Sequence, residues 1–378
     1  MAGGDDQLAE LTRLNQADIG DCEKLMAVTT VMTQSVISFL LPQTRAIGQQ
    51  FFLGGIYELI KFSAPAFIFG IVYSTVRTHP AARWHDYPQF MLNRWHVLFI
   101  PSILWTAVYL VGLPQLQQHQ HYHNWASFCW QFINGNAAPH LWYNVMMLQF
   151  IIIMPLFWWL ARVMQHNPSR GWLLFVLTLL FEICWHLLYE RLVFHNSHPQ
   201  YWYLLDRIFP SFLIFAVGGV LTYAFAKRLQ PFIAQHWLAQ LAFWLLCLYI
   251  VTANFFHYGY PVRLTNAPYY LPSMVFYNLS TIGLIATFLT HLQRVHNQWL
   301  PLIHWVALYA HRAFLGHVFW LYWLWQGCQH FLPWLPLELT LPLLVVFTVA
   351  CSFAFAYGAH RTWSGVKRRC GHHQIKNG

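Results

Sequence analysis

The sequence predicts an all-α integral membrane protein of about ten transmembrane helices with both termini in the cytoplasm, and three observations predict it. Only 9% of its 378 residues are charged while 57% are hydrophobic, against roughly 25% charged residues in ordinary soluble domains. Apolar runs of about 18 to 25 residues recur from end to end, the length a helix needs to cross a hydrocarbon layer about 30 Å thick. Lys and Arg fall mostly in alternate connections between those runs, which sets an orientation.

In chain order, residues 1–24 read as a solvated cytoplasmic tail. Asp5, Asp6, Glu10, Asp18, Asp21 and Glu23 give it the wrong charge for a signal peptide, so no cleavage is expected. The spans then expected are 25–41, 52–76, 95–113, 141–161, 172–189, 208–226, 237–256, 274–292, 303–325 and 335–357. Together they make one membrane domain, 25–357, followed by a basic cytoplasmic tail, 358–378. Proline-bearing stretches such as Leu41-Pro42-Gln43, His166-Asn167-Pro168 and Leu332-Pro333-Trp334 separate them. Fifteen Lys and Arg residues, including Lys24, Arg77, Arg94, Arg162 and Arg294, then face the cytoplasm, and only Arg45, Arg191, Arg207 and Arg263 lie opposite. Trp84, Trp95, Tyr122, Trp125, Trp142, Tyr269 and Tyr270 gather at span ends, where amphipathic rings sit at headgroup depth.

Several function classes are excluded or weakened. The formal charge of +9 comes from singly placed residues, not a patch, so no nucleic-acid partner is expected. The seven cysteines are scattered and form no C-x-x-C pair, which makes them small apolar packers. His119, His121 and His123 alternate in an outside loop, read as solvated and not as a metal site; no metal is expected. Without a P-loop, a dinucleotide fingerprint or a G-x-S-x-G elbow, group transfer and transport remain.

Ionisable groups inside a membrane cost about 2.5 to 3.5 kcal/mol each on insertion scales, so each one is a functional candidate. Glu58 and Lys61 share a helix face and are read as a structural pair. Glu182 and His186, four apart, are either a carboxylate orienting a general base or a pair that satisfies itself. The ninth span carries His304, His311, Arg312 and His317. Arg312 keeps its charge and calls for an anion: Glu58, Glu182, a phosphate or a carboxylate.

Four segments resemble acyltransferase family 3, and within it the intercellular adhesion protein C branch of biofilm polysaccharide systems. They are Arg94-Trp95-His96-Val97-Leu98-Phe99-Ile100-Pro101, His140-Leu141-Trp142-Tyr143, Phe62-Ser63-Ala64-Pro65-Ala66-Phe67-Ile68 and Ala313-Phe314-Leu315-Gly316-His317. The resemblance implies transfer of an acetyl or succinyl group from cytoplasmic acyl-CoA to a sugar hydroxyl of a cell-surface glycan or its precursor, in a bacterial plasma membrane. It makes Arg94, with Lys24 and Arg312, the candidates for holding the donor, and Trp142 and His140 those for the acceptor. The family carries a His in its first helix about ten residues after a basic residue. Here Lys24 stands for the basic residue and Ser35 occupies the His position. Serine is no base at neutral pH. Either another imidazole acts, with His317, His311 and His186 (the last oriented by Glu182) the options in that order, or the protein acylates nothing. The competing functions are then an exporter or flippase of polysaccharide or lipid-linked sugar, and a non-catalytic partner of a glycan synthase. Membrane lipids surround the chain in every case.

Overall fold

A proline inside an apolar run removes one backbone donor and crowds the carbonyl four residues earlier, so the helix has to yield nearby. The computed structural model describes residues 17–195, 202–331 and 334–376, with side chains to residue 364, and among these every regular element is helical.

Helix α1 (Ile19–Leu40) begins inside the stretch expected to be a solvated tail. Asp18 caps it: its carboxylate accepts from Asp21 N–H at 2.7 Å, and Asp21 reaches back to the Asp18 N–H. The tail boundary at residue 24 is therefore corrected. Asp18 holds Arg77 at 2.8 Å, Asp21 holds Lys24 at 2.8 Å and His304 at 2.7 Å, and Glu23 is fully buried. Residues 1–16 lie outside the described residues.

The expected second span is two helices, α2 (Ile47–Leu59) and α3 (Ser63–Thr78), broken where Pro65 has no N–H for residue 61. Side chains from elsewhere take the carbonyls that the break releases. Gln34 Nε2 donates to Ile60 C=O at 2.8 Å, and the Tyr277 hydroxyl donates to Leu59 C=O. Next come α4 (Tyr87–Arg94), a π-turn over Trp95–Phe99, α5 (Ile100–Gly112) and the short α6 (Trp125–Asn134). The expected fourth span bends by 58° between α7 (Leu141–Ile152) and α8 (Met154–His166), beside Pro155. Helix α9 (Pro168–Tyr189) is continuous. The expected sixth span ends with α10 (Leu213–Ala224), and the chain turns by 102° into α11 (Ala226–Gln235). Helices α12 (Trp237–Phe256) and α13 (Pro272–Arg294) fall where apolar runs were expected. The run at 303–325 divides into α14 (Leu300–Ala307) and α15 (Ala310–Cys328). The final helix, α16 (Leu337–Lys376), continues without a break through most of the expected C-terminal tail.

Among the described residues seven helices are long and apolar enough to cross a membrane, or nine if each bent pair is one span. Helix α15 is 19 residues long, but it carries His311, Arg312 and His317 and is not among them.

Helix α1 is central and touches α3, α13, α14, α15 and α16. It runs parallel to the α14–α15 segment: His304 meets Asp21 near one end, and His317 meets Ser35 toward the other. Outward faces are apolar. Leu173, Val176, Leu177, Leu180 and Phe181 line one exposed stripe of α9, and Leu238, Leu245, Leu246 and Tyr249 are exposed on α12. Stripes of that extent are excluded from water-facing surfaces and suit a lipid environment.

Candidate active site

One face of α1 carries Ala27, Val31, Gln34, Ser35 and Ser38 at helical spacing, and all five line a cavity of about 140 Å³. At 1.5 Å per residue this face follows the helix for ~16 Å. The break between α2 and α3 adds Tyr57 and Ser63, the start of α7 adds His140, Trp142 and Tyr143, and Tyr269 and Phe314 complete most of the wall. The end of α2 and the start of α3, on either side of the proline break, thus both contribute to the wall.

Ser35 Oγ lies 2.9 Å from His317 Nε2. His317 Nδ1 is 2.6 Å from the Phe314 carbonyl oxygen. A carbonyl only accepts, so Nδ1 carries the hydrogen and Nε2 offers its lone pair to the Ser35 hydroxyl. The same hydroxyl has a second acceptor, the Val31 carbonyl at 3.1 Å. His317 is fully buried, whereas Ser35 is partly accessible and forms part of the cavity wall.

A second imidazole stands beside the first. The rings of His140 and His317 are 4.6 Å apart, centroid to centroid. His140 Nε2 donates to the Leu315 carbonyl at 3.1 Å, and its Nδ1 is buried without a hydrogen-bond partner. His140 lines the cavity directly. Gln34, Ser63 and Tyr269 form a polar group on the same cavity: the Tyr269 hydroxyl is 3.0 Å from both Gln34 Oε1 and Ser63 Oγ.

The expected Glu58–Lys61 pair is corrected. No ion pair within 4 Å joins them among the described residues; the Lys61 ammonium instead sits 4.6 Å above the rings of both Tyr57 and Tyr269. Stacking on two ring faces adds to the attraction of Glu58, which acts on Lys61 from beyond ion-pair distance.

The remaining candidates lie apart from the cavity. Glu182 and His186 are in contact at 3.5 Å, but the Glu182 carboxylate caps α10 by accepting from Ile214 N–H, and the His186 ring lies between the carbonyls of Leu271 and Ser211. Glu182 thereby satisfies one donor of a buried helix start. His311 Nε2 approaches Asn144 Oδ1 at 3.3 Å. Arg312, near Tyr309 and His360, has neither Glu58 nor Glu182 within ion-pair distance among the described residues. Arg94 stacks on Phe90 at 4.9 Å with its Nε buried and unpartnered, and Lys24 is held by Asp21. The three loop histidines do not converge. His119 stacks on Tyr203 at 4.1 Å, and its partial desolvation there, with Arg207 nearby, lowers its pKa below the ordinary imidazole value. Among the described residues no three potential ligands are grouped to hold a metal.

Sequence reasoning passed over Gln34, Ser63 and Tyr269. The one available signal was the run of polar residues, Thr33-Gln34-Ser35, inside an otherwise apolar span.

Comparison with known proteins yields one match. A family model described as an acyltransferase domain, that of acyltransferase family 3, covers residues 30–358. No curated protein and no solved structure matches the chain. The matched region runs from the face of α1 that bears Ser35, through both imidazoles, to the middle of α16 and takes in most of the chain, so this protein belongs to acyltransferase family 3, as a membrane acyltransferase.

Proposed function

We propose that the protein moves a short acyl group, acetyl or succinyl, from acyl-CoA to a hydroxyl of a cell-surface polysaccharide or exopolysaccharide, as in the intercellular adhesion protein C branch it resembles. The observation that carries this reading is the Ser35–His317 contact at the cavity wall. A base with a bare nitrogen, oriented through its other nitrogen and within hydrogen-bond reach of a hydroxyl, is what acyl transfer to oxygen requires. His317, brought in on α15, lies beside Ser35 as an imidazole that the first helix lacks, which supports acyl transfer over export. His140, with an unpartnered Nδ1 on the cavity, is the second candidate base.

Cavity size supports a short donor group. A protein cavity of about 150 Å³ holds benzene, so about 140 Å³ suits an acetyl or succinyl group. Arg312 and Arg94, neither of them engaged in an ion pair among the described residues, are better placed for the donor's phosphates than Lys24, which Asp21 occupies. Ten crossings, counting α15, with both termini in the cytoplasm of a bacterial cell, would set Ser38, Tyr57, Trp142 and Tyr269 toward the outer surface and Lys24 at the inner one. Acceptor and donor would then approach from opposite sides.

The test is chemical. Deleting the gene should remove ester-linked acyl groups from the glycan, and complementation with His317→Ala at equal membrane abundance should restore transfer at a rate lower by about 10²- to 10⁴-fold. A deletion strain that still makes its glycan with normal ester content ends the reading.

A further inference from the structure

We infer that Ser35 itself takes the acyl group, forming a covalent serine ester between donor and acceptor; this rests on the acyl-transfer reading above. Position is the first argument. Ser35 belongs to the cavity wall and His317 does not, being fully buried behind it. Any thioester or hydroxyl in the cavity meets Ser35 Oγ before it can reach His317 Nε2. While the Ser35 hydroxyl donates to Nε2 no acceptor hydroxyl can do so; once Ser35 is acylated its Oγ carries no hydrogen, and Nε2 is open to the acceptor.

Hydrogen-bond direction is the second argument. The Phe314 carbonyl fixes the hydrogen on Nδ1 and aims Nε2 at Ser35 Oγ, 2.9 Å away. Nucleophile, base and orienting group are then in sequence, the arrangement that activates a serine. The Val31 carbonyl gives the hydroxyl a resting acceptor on its own helix when the hydrogen turns away from Nε2.

The two half-reactions balance. In the first, Ser35 Oγ attacks the thioester carbonyl carbon as its proton passes to His317 Nε2. The carbon–sulfur bond breaks, and the leaving thiolate takes that proton to depart as free CoA thiol. In the second, Nε2 accepts the proton of the glycan hydroxyl as that oxygen attacks the serine ester. The bond from the carbonyl carbon to Ser35 Oγ breaks, Ser35 recovers its proton from Nε2, and the glycan ester leaves. No oxidant, reductant or metal enters. The covalent stage also lets donor and acceptor use one small cavity in turn, without occupying it together.

The experiment uses the full-length protein in lipid nanodiscs with radiolabelled acetyl-CoA and, separately, succinyl-CoA. Without acceptor, a burst of one CoA thiol per protein is expected, with label on the Ser35 peptide that is hydroxylamine-sensitive and is chased off by added glycan. Ser35→Ala should abolish burst and label, and Ser35→Cys, which keeps a nucleophile of similar size, should form a labelled thioester. Wild-type protein that transfers the group to glycan with neither burst nor label overturns the covalent step while the acyl-transfer reading stands. Label on another residue overturns it equally. Absence of both transfer and label removes the reading and this inference together. Because the burst and the label are read on the unaltered protein, a Ser35→Ala variant that fails to fold leaves the answer intact.

Discussion

The Tyr109 hydroxyl sits in the hydrogen-bond ladder of α15, donating to the Leu315 carbonyl at 3.0 Å and accepting from the Phe319 N–H at 3.0 Å. A side chain inserted there loosens one i→i+4 link. The Leu315 carbonyl also receives His140 Nε2–H, so one oxygen ties Tyr109, α15 and the second imidazole together. Tyr109→Phe keeps the ring and removes that link. Leaving a buried partner unsatisfied costs about 1–3 kcal/mol. The expected outcome is a lower thermal midpoint and reduced acyl transfer per folded molecule; unchanged values for both would show that the hydroxyl does not hold His140. The sequence put His317 first among the candidate bases and offered His140 as a candidate for the acceptor. Their contact was not legible there, because 177 residues separate them along the chain.

At the scale of elements, the site depends on how closely α1 and α3 cross. A Cβ placed on Gly70 would lie 2.8 Å from the Gly20 carbonyl oxygen, and one on Gly20 would lie 2.6 Å from the Gly70 carbonyl oxygen. Small residues let helices approach to backbone contact where lipid supplies no hydrophobic drive. The Asp18–Arg77 pair fastens the same two helices at one end. Gly70→Leu should push α1 from α3 and destabilise the protein by about 1–3 kcal/mol or more. Thermal melting of the detergent-solubilised variant checks it, and a wild-type midpoint would refute the close crossing. The proline that breaks the second span was visible in the sequence. Its consequence, carbonyls left for Gln34 and Tyr277 to satisfy, required the partners to be in place.

For the whole molecule, apolar stripes on α9 and α12 face outward while Glu23, Glu58, Lys61, Glu182, His186 and His317 are buried. Soluble proteins invert that distribution. With ten crossings, a fluorescent protein fused after residue 378 should fold and fluoresce in the cytoplasm, and alkaline phosphatase inserted in the 117–124 loop should be active outside. A phosphatase active at the C-terminus instead would reverse the orientation and place the cavity at the wrong membrane face for the proposed acceptor.

What the amino-acid order determined by itself was the membrane class, most of the apolar helices and the set of unusual polar residues, because hydropathy over a window and the cost of a buried charge are local quantities. It also marked Ser35 as a departure from the family pattern. Only the tertiary structure decided which of those residues meet. His317 reaches Ser35 because α15 packs parallel to α1; Glu182 instead caps a helix with His186 beside it, and Lys61 rests over two aromatic rings. Helix packing sets these pairings through backbone approach and proline breaks far apart in the chain, so no single segment holds the information.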